Sequence, residues 1–327
     1  MAMVINLLLF SLSCLVLLAS GSFFIKSIIK ITSFLKMSVF VVSFIIVGIA
    51  TSLPELLVGV SSALASLKNP LSNTVALSLG NVIGSNIANL TIIVGIPILL
   101  ARGITVGSKT TKKDSLFMLI ISILPLLLML IGKKLSRIDG FILIAVFILY
   151  CAWLIRKKKE FTKQTENNVG RWEIIINVCL FIFSALALYY SAKFTVQYAS
   201  LLSIDLALPP IFIGLFIVAL GTSLPELVVG FQAALSKNHD IILGNIMGSV
   251  VANSTLVLGA TALIFPITSD LLIFFVSISF MIIAASLFTI FVESGKRIHW
   301  MNGVVLIFVY IVFIMVEMYM KGISSVI

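Results

Sequence analysis

Nearly the whole chain is a succession of apolar runs, each about as long as a bilayer is thick, and few folds are open to such a chain. The runs lie near residues 4–31, 37–66, 72–101, 115–132, 138–156, 172–200, 208–236, 240–265, 269–292 and 300–320. A spanning helix uses roughly 20 apolar residues, so these amount to about ten spans. Hydrocarbon offers no partner to a bare N–H or C=O, so each run is expected as a helix, and any break must lie against other protein. Several runs exceed the minimum, which implies tilt or a break. Of the 327 residues, 61% are hydrophobic and 10% charged, with a mean hydropathy of +1.24. A soluble globule carries about 25% charged residues. The fold class expected is an all-α membrane protein with little soluble mass.

The net charge of +10 reflects position and not nucleic acid. With the N-terminus outside, only Lys68, Lys133, Lys134, Arg137, Lys193 and Lys321 of the 22 Lys and Arg fall outside. The rest lie inside, among them Lys26, Lys30, Lys36 and the runs 102–113 and 156–159, which is the positive-inside pattern. Both termini are thus expected outside a cell membrane. The first apolar run has no basic residue before Lys26 and only a weak small-residue site near Ala19–Gly21, so it reads as a span and not a removable signal. Cys14, Cys151 and Cys179 sit inside apolar runs and read as small core hydrophobes.

One strongly polar stretch, RKKKEFTKQTENNVGR at 156–171, divides the chain near its midpoint. It is too short for a domain, and helix or disordered loop are both open to it. The expected organisation is a first half at 1–156, a cytoplasmic linker at 157–171 and a second half at 172–327. The halves repeat. Residues 51–95 match 222–259 through TSLPEL, VG, LGN, GS, AN and a closing Gly, the first copy carrying seven extra residues. IDGFILIAVFILY at 138 and MNGVVLIFVYIVF at 301 end the halves alike. Five spans per half put the second copy into the membrane from the opposite face, and such inverted repeats are a transporter signature with the site near the midplane.

Of the twelve acidic residues, Asp114, Asp139, Glu160, Glu166, Glu173, Asp205, Asp240 and Asp270 fall in loops or at span ends. Glu293 and Glu317 lie in last turns that reach the interface. Only Glu55 and Glu226 sit deep, and they occupy the same position of the repeat. An ionisable group at that depth reads as functional, and no Lys or Arg stands within about two turns to neutralise it. Pro54 and Pro225 lack the helical N–H and displace the carbonyls four residues back, those of Ala50 and Gly221, so Pro54, Pro225 and Gly221 mark helix breaks. Freed carbonyls, two carboxylates and the hydroxyls of Thr51, Ser52, Thr222 and Ser223 make an all-oxygen cluster, which suits hard cations such as Ca2+ and Na+. GNVIGSNIAN (80–89) and GNIMGSVVAN (244–253) place Ser85 with Asn89, and Ser249 with Asn253, on single helix faces. His239 and His299 lie outside the motifs and read as interfacial.

The paired stretches resemble the alpha repeats of the cation/calcium exchanger superfamily, in particular the prokaryotic sodium/calcium exchangers. The proton-coupled members usually carry Gly-Asn before the acidic residue, which this chain lacks. The resemblance implies a Na+/Ca2+ antiporter working by alternating access, with broken helices at the midplane. It implies that Ca2+ is held by Glu55 and Glu226 with the backbone carbonyls of Thr51 and Thr222. It further implies Na+ sites using Glu55, Glu226, Ser52, Ser85, Ser223, Ser249, Asn89 and Asn253. Two departures stand out: Ala50 where the second copy has Gly221, and Asn253 where some relatives have aspartate. The ions are cargo and no cofactor is implied; the bilayer is the expected partner, with no nucleic acid and no obligate protein. A Ca2+/H+ antiporter is the alternative, and a cation channel a lesser one. An enzyme is not expected, because there is no deep Asp and neither His lies in the repeat.

Overall fold

The structure, a computed structural model, describes residues 2–35, 37–69, 75–106, 109–159, 171–205, 221, 223–268 and 275–324. In chain order its helices are α1 (Ala2–Leu35), α2 (Val39–Thr51), α3 (Leu53–Lys68), α4 (76–100), α5 (Lys109–Gly132) and α6 (Arg137–Lys159). They continue as α7 (Arg171–Asp205), α8 (Leu224–Leu235), α9 (His239–Ile264), α10 (Phe275–Glu293) and α11 (Trp300–Ser324). Eight of these are long and apolar enough to cross a membrane, and α2 with α3 form a ninth, bent by 44°. The expected span 208–236 is described from Ser223 onward; Thr222 and residues 206–220 lie outside the described residues. So does most of the expected linker, whose two ends are helical, in α6 to Lys159 and in α7 from Arg171.

Burial sorts the helices into a centre and a perimeter. The most apolar stretch of α9 is 94% buried, and that of α7 only 17%. On the perimeter, α1 and α7 pack together along their lengths. Phe24 meets Phe181 with ring centroids 4.8 Å apart, and Lys30 pairs with Glu173 at 2.8 Å. Their outward residues, such as Leu8, Leu15, Ile176 and Phe183, are large, apolar and exposed, as a lipid-facing surface requires.

In the centre, glycines replace side chains at the contacts. A Cβ added at Gly248 would overlap the Phe44 carbonyl oxygen, and one at Gly244 would lie 2.7 Å from the Phe40 carbonyl oxygen, so α9 rides directly on the α2 backbone. Such close approach gains dispersion contacts where no hydrophobic drive exists between helices. The closing Gly of each repeat copy meets the terminal helix of the other half. An added Cβ at Gly95 would stand 3.0 Å from the Gly303 oxygen, and one at Gly259 would stand 2.9 Å from the Gly140 oxygen. Loops repeat the exchange: β1 (Ile104–Thr105) pairs antiparallel with β2 (Arg297–Ile298), and Leu135 bridges Ile267.

Three expectations from sequence need correction. Asp114 is not at a loop, because α5 starts at Lys109 and carries it into the packing, where it is 1% exposed and accepts a 3.0 Å hydrogen bond from the Tyr150 hydroxyl. That Tyr150 stacks on Phe117 and touches Phe44, tying α5 and α6 to α2. Glu317 is not open at a helix end but covered by protein; it is 9% exposed and receives a 3.4 Å bond from Ser277. Of the cysteines only Cys151 packs against the core, half-buried; Cys14 is half-buried elsewhere and Cys179 is exposed. An apolar lipid-facing position and an apolar core position look the same in sequence.

The glycine contacts set a prediction. Gly248→Ala forces α2 from α9 and is expected to destabilise the purified protein by about 1–3 kcal/mol. Gly132→Ala, which meets nothing within 4 Å, is expected to stay within about 0.5 kcal/mol of the parent. Thermal unfolding in detergent measures both.

Candidate cation site

Each TSLPE copy begins a helix, and the first copy also ends one. In the first copy α2 ends at Thr51, Ser52 leaves helical geometry at φ −79 and ψ 5, and α3 starts at Leu53. In the second copy Ser223 likewise leaves helical geometry, at φ −94 and ψ 11, before α8 starts at Leu224. Proline sits in the first two positions of each new helix, where its missing N–H has no partner to lose. Glu55 and Glu226 therefore stand in first turns, where the helix N-terminus favours a negative group. Ser-x-x-Glu also spells a capping box, which would use up the serine hydroxyl and the carboxylate on backbone N–H groups. Neither serine caps its helix. Both hydroxyls are buried without a hydrogen-bond partner among the described residues.

Glu55 and Glu226 are both 0% exposed and are electrostatic neighbours. Ser85 donates to Glu55 Oε1 at 3.0 Å. The Thr51 and Ser249 hydroxyls lie beside the Glu226 carboxylate, whose two oxygens complete no regular hydrogen bond among the described residues. Thr51 joins the halves: its hydroxyl is 3.1 Å from Asn245 Oδ1 and 3.1 Å from Ser249 Oγ, while Asn245 Nδ2 donates to the Glu226 carbonyl at 3.2 Å. Asn89 and Asn253, each 0% exposed, open π-helical turns at Asn89–Ile93 and Asn253–Val257. A third π-helical turn, Ser43–Val47, lies in α2. The wider turn loosens the regular carbonyl ladder, and such turns collect at functional sites. Ala50, Thr51, Pro54 and Pro225 line a small cleft closed by Phe24, Ala185, Leu188 and Tyr189 of α1 and α7.

The structure thus brings Glu55, Glu226, Thr51, Ser85 and Ser249 together and buries Ser52, Ser223, Asn89 and Asn253. Gly221 is buried, and Thr222 is outside the described residues. Among the described residues no three His, Cys, Asp or Glu side chains gather as a metal cluster. The atoms able to hold an ion are therefore two carboxylates with hydroxyl, amide and backbone oxygens. Sequence reading missed Asn245, Asn86 and Ser254, all fully or nearly fully buried. Asn245 was open to it, because Asn81 stands at the same place in the other copy. Asn86 and Ser254 carried no such signal, since Val250 and Leu90 occupy their counterpart positions.

The chain matches the model of the sodium/calcium exchanger protein family over residues 5–156 and 176–319. It is 28% identical to the sodium/calcium exchanger MaX1 of Methanosarcina acetivorans, covering 96% of this chain and 99% of that one. It is also 28% identical to the inner membrane protein YrbG of Escherichia coli K12, covering 76% and 77%. Among solved structures it is similar to the sodium-calcium exchanger NCX_Mj soaked with 10 mM Na+ and 10 mM Sr2+, with a TM-score of 0.80 and 25% identity over 94% of this chain and 97% of the other. The same exchanger soaked with 2.5 mM Na+ and 0.1 mM Ca2+ gives 0.79 at 25% identity over the same shares.

Thr51→Val keeps the volume and removes the hydroxyl between Asn245 and Ser249. It is expected to cost about 1–3 kcal/mol in thermal unfolding, as buried polar groups lose a partner. Thr51→Ser, which keeps the hydroxyl, should recover most of that loss.

Proposed function

The chain belongs to the sodium/calcium exchanger protein family, and we propose that it exchanges Na+ for Ca2+ through one cluster built on Glu55 and Glu226. The observation that carries this reading is the pair itself: two carboxylates from equivalent repeat positions, both 0% exposed and acting on one another. When ionised they hold two negative charges, which one Ca2+ or two Na+ neutralise, and a third Na+ moves net charge. In this reading Ca2+ sits between the two glutamates and the backbone carbonyls of Thr51 and Thr222. Na+ ions use the same glutamates with Ser52, Ser85, Ser223, Ser249, Asn89 and Asn253. An uncompensated pair of carboxylates in a low-dielectric centre is costly, so the protein rarely changes state without cargo and exchange is coupled.

The two halves form inverted five-helix repeats in this proposal, with the linker and most basic residues inside and both termini outside a cell membrane. The reciprocal glycine contacts and the paired loops support that arrangement, because each contact has a counterpart in which the halves exchange roles: Gly95 with Gly303 and Gly259 with Gly140, 104–105 with 297–298 and Leu135 with Ile267. The breaks at Ser52 and Ser223 lie where the halves meet, which is where alternating access places a cargo site.

Two outcomes test this. In liposomes, an outward Na+ gradient is expected to drive tracer Ca2+ uptake with pH clamped, whereas an outward K+ gradient is not; uptake that ignores Na+ and follows a pH gradient would establish proton coupling instead. Glu55→Gln and Glu226→Gln each remove one of two charges at constant volume. Each is expected to lower Ca2+ affinity by at least about 100-fold, the cost of breaking a buried ion pair, while the protein stays folded. Near-parental affinity in either variant would refute a shared site.

A further inference from the structure

Asn86 is 0% exposed and belongs to neither pair of hydroxyl and amide residues that the repeat places on a common face. Its Nδ2 donates to Ser254 Oγ at 2.9 Å, and its Oδ1 accepts from Asn253 Nδ2 at 3.3 Å. Asn253 is left with Oδ1 buried and bearing no hydrogen-bond donor among the described residues. The two ends of an asparagine amide are nearly alike in shape and opposite in polarity. Only the oxygen end attracts a cation, so a ligand amide needs something to keep it from turning over. Turning Asn253 alone would set its oxygen against that of Asn86, so it turns only if Asn86 and the Ser254 hydroxyl turn with it.

The other copy has no such lock. Asn89 stands where the second copy has Asn253, but the counterparts of Asn86 and Ser254 are Val250 and Leu90, which cannot hold an amide. Both amide atoms of Asn89 are buried without a hydrogen-bond partner among the described residues. One central asparagine is oriented and its counterpart is not.

We infer that Asn86, held by Ser254, is a positioning residue that keeps the Asn253 oxygen turned toward the Na+ ions of the exchange cluster. The inference rests on the proposed function, in which Asn253 is a Na+ ligand, and it makes the Na+ affinity of this half depend on a residue outside the ligand set. An oriented oxygen lowers the reorganisation needed when an ion arrives, so the lock acts on binding and not on the maximal rate.

Na+-dependent Ca2+ exchange by the full chain in liposomes tests this by a double-mutant cycle. Asn86→Leu is expected to raise the half-saturating Na+ concentration by about 2–10-fold, the worth of a neutral hydrogen bond, with the rate at saturating Na+ little changed. Ser254→Ala, a smaller change that frees Asn86, is expected to shift it in the same direction and runs the same cycle should the leucine variant not fold. In an Asn253→Ala background neither substitution is expected to add anything, because the group they orient is gone. The same fold-change in both backgrounds would mean a packing role and overturn the inference. Parental Na+ dependence in Asn86→Leu and Ser254→Ala, with a raised value in Asn253→Ala, overturns it while leaving the cluster standing. Parental dependence in Asn253→Ala overturns both the inference and the ligand assignment, and Glu55→Gln and Glu226→Gln then report separately on the cluster itself.

Discussion

Two carboxylates held close together, away from water, impose the condition that the rest of this molecule meets. Glu55 and Glu226 are fully buried within apolar helices. Burying one ionised carboxylate costs several kcal/mol even after relaxation, and a second like charge adds to it. The surroundings answer with weak positive potential and with small neutral dipoles. Both glutamates stand at helix N-termini, Ser85 donates to Glu55, and Thr51 and Ser249 stand beside Glu226. That is enough to hold the pair in place without satisfying it. The remaining deficit is the affinity for cations on which the proposed exchange depends.

Keeping such a cluster dry and still open at the backbone explains the glycine contacts. The helix α9 packs directly on α2 at Gly244 and Gly248, which brings Asn245 and Ser249 within reach of Thr51. A Cβ at those contacts would push the helices apart and pull the hydroxyls from the carboxylates. The breaks at Ser52 and Ser223 are tolerated for the same reason, because they lie against protein and not lipid. The perimeter is less buried. α1 and α7 line the cleft beside Thr51 and Pro225 through Phe24 and Tyr189, while their outer faces carry apolar residues toward lipid.

The repeat is close in sequence and unequal in detail. Each glycine contact and loop pairing between the halves has a counterpart with the halves exchanged, so the scaffold obeys the repeat. The polar centre does not. Asn86 and Ser254 form a chain with Asn253, while Val250 and Leu90 stand at the matching positions of the other copy. The two halves therefore present their central amides differently.

How much of this was legible in the sequence follows from which forces act locally. Apolar run length alone determined a helical membrane protein, because hydrocarbon leaves the backbone no other partner. Pro54, Pro225 and the glutamates after them determined where helices stop and which carboxylates are deep, because proline acts on its own turn and the charge cost depends on the apolar run around it. Other features were decided only by tertiary packing. Asp114 and Glu317 read as peripheral and are buried, since burial depends on which helix packs alongside and not on distance from a span end. Ser52 and Ser223 have the spacing of capping residues, yet neither caps, and both hydroxyls lie buried without a hydrogen-bond partner among the described residues, an outcome the local pattern does not signal. The Thr51 link between halves and the Asn86 lock both join residues far apart in the chain. A sequence supplies the donors and acceptors, but the pairing of a buried amide is chosen by whichever group the fold brings within about 3 Å.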